Sequence, residues 1–470
     1  MFKPAAGSPG MVLFTVCIAQ FLAPFMLTSV GVALPSLGRE LGASALQLSL
    51  VEQLYVLSLA MTMLTFGRWG DIVGRRRIYL AGLSLYTVMT FSLGFTQGIG
   101  SIMAQRFVQG LGAAMYLSGS LALVASVYPP EVRGRVIGAV SAATYVGLSL
   151  GPVIGGYVTS HFGWRSVFLM VVPLGLAAVA ACLFGMRDDA HEGSGERMDW
   201  TGALVYALGV GLFMLGAAHA GEMPLGPGMI AAGIVVLALF LRLEARGASP
   251  LLDMALLRGD RAFTLGCLAA LGNYAATFGI TFLASLYLQY VKGLSPREAG
   301  LVLLAMPVIQ VAVTLQSGRL ADRMDPGRLA TIGMLMSTIG LLLAAATCGP
   351  DMPLWLLALE LMLIGAGFGV FVTPNSASIM GSVDRRRFGL ASGMIAAMRT
   401  LGMAASMTSV ALIFSVFMGR AAISQETLPE FLSAMRAGLA LLAAFSCLGV
   451  LVSLGRIARG GPEKGRPGGE

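Results

Sequence analysis

Long apolar runs recur along the whole chain and are separated by short polar breaks. A helix needs about 20 apolar residues to cross the hydrocarbon core of a bilayer, and each run is close to this length. Of the 470 residues, 56% are hydrophobic and only 11% are charged, which excludes a soluble globular domain. The pattern therefore predicts an all-α membrane protein. Fourteen spans are predicted, at 11–34, 45–66, 79–97, 101–126, 136–158, 165–185, 201–220, 227–244, 263–289, 299–319, 328–347, 353–374, 389–417 and 434–455.

The runs at 201–220 and 227–244 are the weakest of these, and without them the count is twelve. The first run continues without a small-residue cleavage site, so we expect it to be retained in the membrane. The five cysteines lie in different apolar runs and have no paired spacing, which argues against a disulfide framework or a metal site. They are Cys17, Cys182, Cys267, Cys348 and Cys447.

The basic residues are distributed unevenly between the two sides of the membrane. With an even number of spans and a cytoplasmic N-terminus, most of the 31 Lys and Arg residues fall in cytoplasmic segments. This asymmetry is the positive-inside signal, and it accounts for the net charge of +8 without nucleic acid as a partner. We expect a multi-pass protein of a bacterial-type inner membrane with both termini in the cytoplasm.

Two glycine-rich segments repeat at an offset of 251 residues. Gly67 and Asp71 close the second span, and Gly318 and Asp322 close the tenth in the same relation. A glycine pair in the fifth span recurs at this offset in the thirteenth: Gly138 and Gly151, then Gly389 and Gly402. Parallel six-helix repeats are typical of secondary transporters, with a site at their interface. The predicted parts are an N-terminal bundle (1–185), a cytoplasmic linker with two inserted helices (186–262), a C-terminal bundle (263–456) and a cytoplasmic tail (457–470).

The loop after the second span combines a helix end, a carboxylate, a turn and basic residues. Gly67 permits close helix approach, Asp71 can accept hydrogen bonds, Gly74 permits a reversal of the chain, and Arg75 begins a basic cluster. The arginines alone would equally fit an ordinary positive-inside loop.

Two further motifs lie inside spans. Arg106 and Gln109 share one face of the fourth span, and an arginine at this depth needs a partner. The fifth span carries a row of small residues around a proline, and such residues let another helix pack closely while the proline removes one backbone hydrogen bond. The row consists of Gly147, Gly151, Pro152, Gly155 and Gly156.

Together these strings resemble the major facilitator superfamily, and specifically its fourteen-helix branch of drug:proton antiporters. In that family the loop between helices 2 and 3 acts as a cytoplasmic latch between the halves, the fourth-span string is associated with proton coupling, and the fifth-span string is the antiporter motif of exporters. The resemblance implies two six-helix bundles with a parallel pseudo-two-fold repeat plus two inserted helices. The strings that support it further are Val32-Ala33-Leu34-Pro35, Gly163-Trp164-Arg165, Asp199-Trp200-x-Gly202, Leu286-Tyr287-Leu288-Gln289 and Ser295-Pro296-x-x-Ala299-Gly300. Met26 and Gly31 depart from that branch, which often has an aspartate and an asparagine there.

Acidic residues inside the spans are the candidates for proton coupling. Glu52 and Glu360 each lie roughly 10 Å below the outer surface at 1.5 Å per residue, and burial there favours a neutral carboxyl group. Arg106 lies at a depth similar to that of Glu52, and Arg399 is placed to reach Glu360. We hypothesise two switchable acid–arginine pairs; the alternative is two permanent structural ion pairs.

Polar and aromatic residues of the inner helices are the candidates for contact with a substrate, although most aromatic residues at helical spacing serve packing. The 28 methionines suit an adaptable pocket, and lipid-facing packing explains many of them. The candidates are Gln20, Phe25, Met26, Tyr55, Gln109, Tyr116, Asn273, Tyr274, Phe278, Gln310 and Asn375.

The sequence favours a transporter that exports small lipophilic or cationic compounds in exchange for protons, with no cofactor besides the proton gradient and a monomer as the functional unit. A proton-coupled importer of one solute and a transport-inactive sensor remain alternatives. No Gly-x-x-x-x-Gly-Lys phosphate loop or His-Glu-x-x-His pair occurs, so an ATP-driven pump or a metalloprotease is not supported. The sequence leaves the charge of the substrate open.

Overall fold

A computed structural model describes residues 8–128, 130–186, 198–220, 225–245, 251, 260–321, 324–383, 388–419 and 421–457. Within these residues the regular structure is entirely helical. The helices are α1 (Pro9–Leu41), α2 (Ala45–Val73), α3 (Arg75–Leu93), α4 (Ile99–Val127), α5 (Pro130–Phe162), α6 (Arg165–Leu169), α7 (Val172–Gly185), α8 (Trp200–Ala218), α9 (Leu225–Glu244), α10 (Arg261–Thr277), α11 (Ile280–Leu286), α12 (Pro296–Leu303), α13 (Ala305–Ala321), α14 (Pro326–Thr347), α15 (Leu354–Gly381), α16 (Phe388–Phe417) and α17 (Leu428–Ile457).

Every predicted span corresponds to one helical rod of the structure, with three rods divided by local breaks into α6–α7, α10–α11 and α12–α13. In the described part of the chain, twelve helices are long and apolar enough to cross a membrane. The two rods outside that group are α5 and α3, and α3 begins with three arginines. The rod of α10 and α11 ends in a π-helical turn, Tyr287–Val291.

Polar side chains fix where several helices begin. Ser44 and Gln47 form a reciprocal capping box at the start of α2, and Ser295 and Glu298 do the same at the start of α12. Asp199 accepts from the backbone N–H of Gly202 in the first turn of α8. Each cap satisfies backbone donors that the first turn of a helix leaves free.

The helices form two six-helix bundles with the same internal packing. In the first bundle α1 packs against α5, and both α2 and α3 pack against α4. In the second bundle the corresponding rods make the corresponding contacts: α10 with α16, and α13 and α14 with α15. The repeat inferred from glycines is therefore also a repeat of packing. Gly67 faces Ser118 across α2 and α4, and Gly318 faces Thr373 across α13 and α15; Asp322 and most of the predicted linker lie outside the described residues.

The inserted helices α8 and α9 pack against each other, and α8 also contacts α2 of the first bundle and α16 of the second. The Gln53 side-chain amide donates to the Met214 carbonyl at 3.0 Å. The Trp69 and Trp200 rings meet edge to face with their centroids 5.7 Å apart. The inserted helices are thus attached to α2 through α8, at a position where α8 also contacts α16 of the second bundle.

The two bundles meet closely at the end where α1 connects to α2, here called the α1–α2 face. Ser285 donates to the Gly31 carbonyl at 2.8 Å, and Gln289 donates to the Val32 carbonyl at 2.9 Å. Pro35 has no backbone N–H, so it leaves the Gly31 carbonyl without its helical donor. The second bundle supplies the missing hydrogen bond from Ser285.

A second contact on the same face joins α5 to α12. A Cβ atom added at Gly156 would collide with the Pro296 carbonyl, and one added at Gly300 would collide with the Pro152 carbonyl. Small residues on both helices therefore bring the two backbones into direct contact. Together with the Ser285 and Gln289 hydrogen bonds, this contact closes the α1–α2 face.

Candidate functional site

A cavity of about 210 Å³ lies between the two bundles and is lined by residues of both. Its wall is mostly apolar and includes a few polar and charged side chains, as ligand sites usually do. The lining residues are Gln20, Ala23, Pro24, Leu27, Thr28, Gly31, Glu52, Tyr55, Leu59, Met63, Leu117, Thr144, Leu148, Pro152, Tyr274, Thr277, Phe278, Thr281, Phe282, Leu303, Met306, Pro307, Gln310, Phe368, Arg399, Thr400, Met403 and Met407.

Glu52 is the acid on the cavity wall. Its side chain is only 3% exposed, and its Oε1 atom has no hydrogen-bond partner in the described chain. A Cβ atom added at Gly31 would lie 3.5 Å from this oxygen, so a side chain at Gly31 would crowd the carboxyl group. An unpaired carboxyl group beside a cavity is available to a proton or to a positively charged ligand.

Arg106 is completely buried behind this wall. Its Nη1 atom donates to Gln109 at 2.7 Å, and its Nε atom donates to the Val51 carbonyl at 3.3 Å. The guanidinium carbon stands 4.4 Å from the Tyr55 ring centroid. The Gln109 side-chain amide donates to the Thr90 hydroxyl at 2.6 Å, which extends this hydrogen-bond network to α3. The structure thus holds Arg106 in a polar network of the first bundle, with its charge stacked on a residue of the cavity wall.

Neither expected acid–arginine pair is formed. In the described residues, no ion pair within 4.0 Å joins Glu52 to Arg106 or Glu360 to Arg399. Arg399 lies on the wall of the central cavity beside Tyr274. In this conformation a backbone carbonyl and uncharged side chains contact the two arginines instead, and the switching of the two pairs stays a prediction.

Glu360 lies in a separate cavity of about 20 Å³ within the second bundle. Its Oε1 atom accepts from Thr347 at 2.7 Å, and its Oε2 atom has no partner in the described residues. The small cavity has room for one water molecule. Glu360 is therefore separated from the site that contains Glu52 and Arg399.

The predicted lining residues divide into two groups. On the cavity wall are Gln20, Tyr55, Tyr274, Phe278 and Gln310. Not among the lining residues are Phe25, Met26, Gln109, Tyr116, Asn273 and Asn375. Within the second group, Phe25 stacks on Phe21 with the centroids 5.1 Å apart. Tyr116 packs edge to face against Tyr79 and Tyr86, so its ring serves the interior of the first bundle.

The remaining residues of the second group are also buried within a bundle. Met26 lies in the apolar core. Asn375 donates to the Gly266 carbonyl at 3.1 Å and accepts from Arg456 at 3.0 Å. The Asn273 side chain is fully buried and without a hydrogen-bond partner in the described residues. The sequence placed these residues correctly inside helices around the cavity. It did not show that their side chains lie on helix faces turned away from the cavity in this conformation.

Three prolines on the cavity wall were not predicted as a set: Pro24, Pro152 and Pro307. Each lacks an N–H and frees the carbonyl four residues before it, and those earlier residues also line the cavity: Gln20, Leu148 and Leu303. These prolines were readable in the sequence, whereas the contributions of Phe282, Phe368 and Met407 were not distinguishable from packing.

The loop motif after α2 is arranged around an ion pair. Asp71 accepts from the Arg75 Nε atom at 2.7 Å, and Gly74 between them has φ +122°, a conformation that favours glycine. Arg76 donates to the Leu183 carbonyl at 3.0 Å. A cation at the end of α7 satisfies a free helix carbonyl and complements the helix dipole, so the motif ties together three helices of the first bundle.

The glycine row of α5 lies along α1. Added Cβ atoms at Gly147, Gly151 and Gly155 would collide with the backbone or side chains of α1. Ser29 of α1 donates to the Gly151 carbonyl at 2.9 Å. The glycine row of α5 is therefore the surface against which α1 packs. Residues of α1 in turn form part of the cavity wall.

Two similar bundles around a shared cavity define a multi-pass membrane transporter. A family model described as "Major Facilitator Superfamily" matches residues 16–407, and the chain belongs to this superfamily. It is therefore a transporter of a small molecule and not an enzyme.

Curated relatives are similar over most of their length. The chain is 30% identical to riboflavin transporter RibZ of Clostridioides difficile (strain 630) over 394 residues, covering 84% of this chain and 86% of that protein. It is 30% identical to multidrug resistance protein Stp of Mycobacterium tuberculosis (strain CDC 1551 / Oshkosh) over 382 residues, covering 79% and 70%.

The fold matches that of solved transporters. One crystal structure shows a bacterial homologue of the human lysosomal transporter Spinster in an inward-facing, unoccupied conformation. It superposes with a TM-score of 0.68 at 16% identity, covering 97% of this chain and 98% of that chain. At this identity the match shows the fold alone.

Proposed function

We propose that this protein exports small organic compounds from the cytoplasm in exchange for protons by alternating access. The observation that carries the proposal is an unpaired carboxyl group, Glu52, on the wall of a cavity shared by two similar bundles. One site that binds either a proton or a cargo molecule is the simplest way to couple their opposite movements.

The closed face supports the alternating part of the proposal. The positive-inside distribution of basic residues would place the α1–α2 face outside the cell and the termini in the cytoplasm. Ser285, Gln289 and Gly156 then seal the outer end of the cavity. Rigid-body movement of one bundle against the other would break these contacts and expose Glu52 to the other side.

Export is favoured by the glycine row of α5 and by the names of relatives. The complete row resembles the antiporter string of exporters and positions α1 beside the cavity. A relative similar over most of this chain is named a multidrug resistance protein. We propose that this chain likewise belongs to the fourteen-helix branch of drug:proton antiporters and works as a monomer, with no cofactor besides the proton gradient.

Transport of one specific solute is the second candidate, because RibZ, at the same level of identity, is named a riboflavin transporter. The direction of flux and the breadth of substrates distinguish the two candidates. Competition among unrelated compounds for one uptake activity in inverted vesicles favours the exporter of many compounds. Saturation by riboflavin alone favours the second candidate.

The test of proton coupling is uptake of a fluorescent organic dye into inverted membrane vesicles with an acidic interior. Glu52→Gln removes the ionisable group and keeps the size of the side chain, so gradient-driven uptake is expected to fall at least ten-fold. Glu430→Gln is the matched control, since Glu430 is exposed near the start of α17. Full stimulation of the Glu52→Gln protein by the gradient would remove Glu52 from the mechanism.

A further inference from the structure

The central cavity carries charges of opposite sign on opposite bundles. Glu52 on α2 and Arg399 on α16 both line it. Neither takes part in an ion pair within the described chain, and the buried Oε1 atom of Glu52 has no hydrogen-bond partner there. Arg399 is hydrogen-bonded to the Tyr274 side chain, which uses only part of the five donors of its guanidinium group. A charge without an ion-pair partner at membrane depth is costly, so Glu52 and Arg399 can each still bind an oppositely charged group of a ligand in the cavity.

The two charges lie at different depths. Thr400 contacts Met63 with 3.0 Å between its Oγ1 atom and the sulfur, which places Arg399 near the level of Met63. Glu52 precedes Met63 by eleven residues on the same helix, which corresponds to about 16 Å along the axis at 1.5 Å per residue. The acid is therefore towards the closed α1–α2 face, and the arginine is towards the opposite end of the cavity.

The rest of the cavity wall is largely apolar and partly aromatic. Tyr274 and Phe368 meet edge to face with centroids 5.3 Å apart, and Phe278 and Phe282 line the same cavity. Met407 adds a flexible side chain that adapts to flat ring systems. This wall suits a planar apolar body and provides no further charged side chain among the lining residues.

We propose that the preferred substrates are zwitterions with an aromatic body, bound with the cationic end at Glu52 and the anionic end at Arg399. Both side chains line the same cavity, and their helix positions are about 16 Å apart along the axis, so the two charges of the ligand need a separation of several ångströms. A guanidinium binds a carboxylate through two parallel hydrogen bonds. A plain cation leaves Arg399 uncompensated, and a plain anion leaves Glu52 uncompensated.

This inference rests on the proposed function, because it assigns the cargo of the proposed exchange. Protonation of Glu52 removes the charge that holds the cationic end, so proton entry and release of a zwitterion would occur at one carboxyl group. The arginine at the other end keeps its charge throughout and sets selectivity without taking part in the exchange of protons.

Three dyes with one xanthene ring system provide the test: rhodamine 123, an ester that is only a cation; rhodamine 110, the corresponding zwitterion; and fluorescein, an anion. Binding to the purified full chain is measured by fluorescence anisotropy without any gradient. Rhodamine 110 is expected to bind at least ten-fold more tightly than the other two dyes. Arg399→Gln is expected to reduce its advantage over rhodamine 123 by about ten-fold, and Arg399→Lys by less.

Arg242→Gln is the control, because Arg242 is exposed near the end of α9 and outside the cavity. Equal binding of rhodamine 110 and rhodamine 123, no binding of rhodamine 110, or an advantage that survives Arg399→Gln would overturn the proposal. Gradient-driven transport is measured separately with the same dyes. A dye that binds but is not moved by the proton gradient contradicts the proposed exchange and leaves the zwitterion preference standing.

Discussion

Arg106 combines complete burial with a network that contains no acid among the described residues. The guanidinium group of Arg106 donates to a backbone carbonyl of α2 and to the Gln109 side chain, and its planar face stacks on the Tyr55 ring. Planar guanidinium geometry makes these contacts together, which a lysine cannot do. The residue therefore fixes α4 against α2 directly behind the acid at the cavity.

Replacement of Arg106 by lysine is expected to lower stability. A lysine cannot make the Val51 and Gln109 contacts together, so one of these hydrogen bonds is lost, and a hydrogen bond to a charged group contributes about 1.5–3 kcal/mol. The thermal unfolding midpoint of the detergent-solubilised protein should fall by several degrees. Arg242→Lys, at an exposed position, should leave the midpoint unchanged. An unchanged midpoint for Arg106→Lys would show that the network does not stabilise the bundle.

Individual residues show how far sequence reasoning reached. The depth of Glu52 and its access to the cavity follow from helix length and the cost of buried charge. The contact of Arg106 with Gln109 agrees with their shared helix face. Its contact with the Val51 carbonyl could not be predicted, because every residue has a backbone carbonyl and nothing in the sequence marks this one. The separation of Glu360 from Arg399 depends on which face of α15 and α16 points inward, and apolar runs without polar faces do not indicate rotation.

Helices in this protein are held by small residues and by prolines that free carbonyl groups. The α1–α5 contact depends on glycines, and the α1–α11 contact uses the carbonyl that Pro35 leaves free. Fourteen rods were predictable, because membrane-length apolar runs are strong signals. The break after Leu169 lies four residues before Pro173, which removes one backbone hydrogen bond there. The break after Thr277 and the π-helical turn at Tyr287 were not predicted from the sequence.

A methyl group at Gly151 tests the role of the α5 glycine row. It would collide with Thr28 and with the Phe25 carbonyl, so Gly151→Ala should push α1 away from α5 and reduce gradient-driven dye uptake at least ten-fold. Gly119→Ala is the matched control, because a Cβ atom added at Gly119 on α4 has nothing within 4 Å. Equal uptake by the two variants, at equal amounts in the membrane, would contradict a packing role for the row.

The two bundles of the molecule close one end of the cavity by direct contact with each other. Within the first bundle, Arg165 holds Glu40 at 2.6 Å on the α1–α2 face. Between bundles, the Arg297 backbone N–H donates to Ser160 at 3.1 Å on the same face. Alternating access predicts that the second kind of contact breaks in each cycle, whereas the first kind persists.

Cysteine pairs at these two contacts separate movement between bundles from movement within one. In a chain with Cys447 replaced by serine, oxidation of the Ser160→Cys/Arg297→Cys pair should lock the face and reduce dye transport more than ten-fold, with recovery on reduction. For the Glu40→Cys/Arg165→Cys variant, the rate of dye transport should be the same after oxidation as before it, because both positions belong to one bundle. Transport that continues through complete cross-linking of the first pair would mean that the bundles need not part at this face, and alternating access by rigid-body movement would then be wrong for this protein.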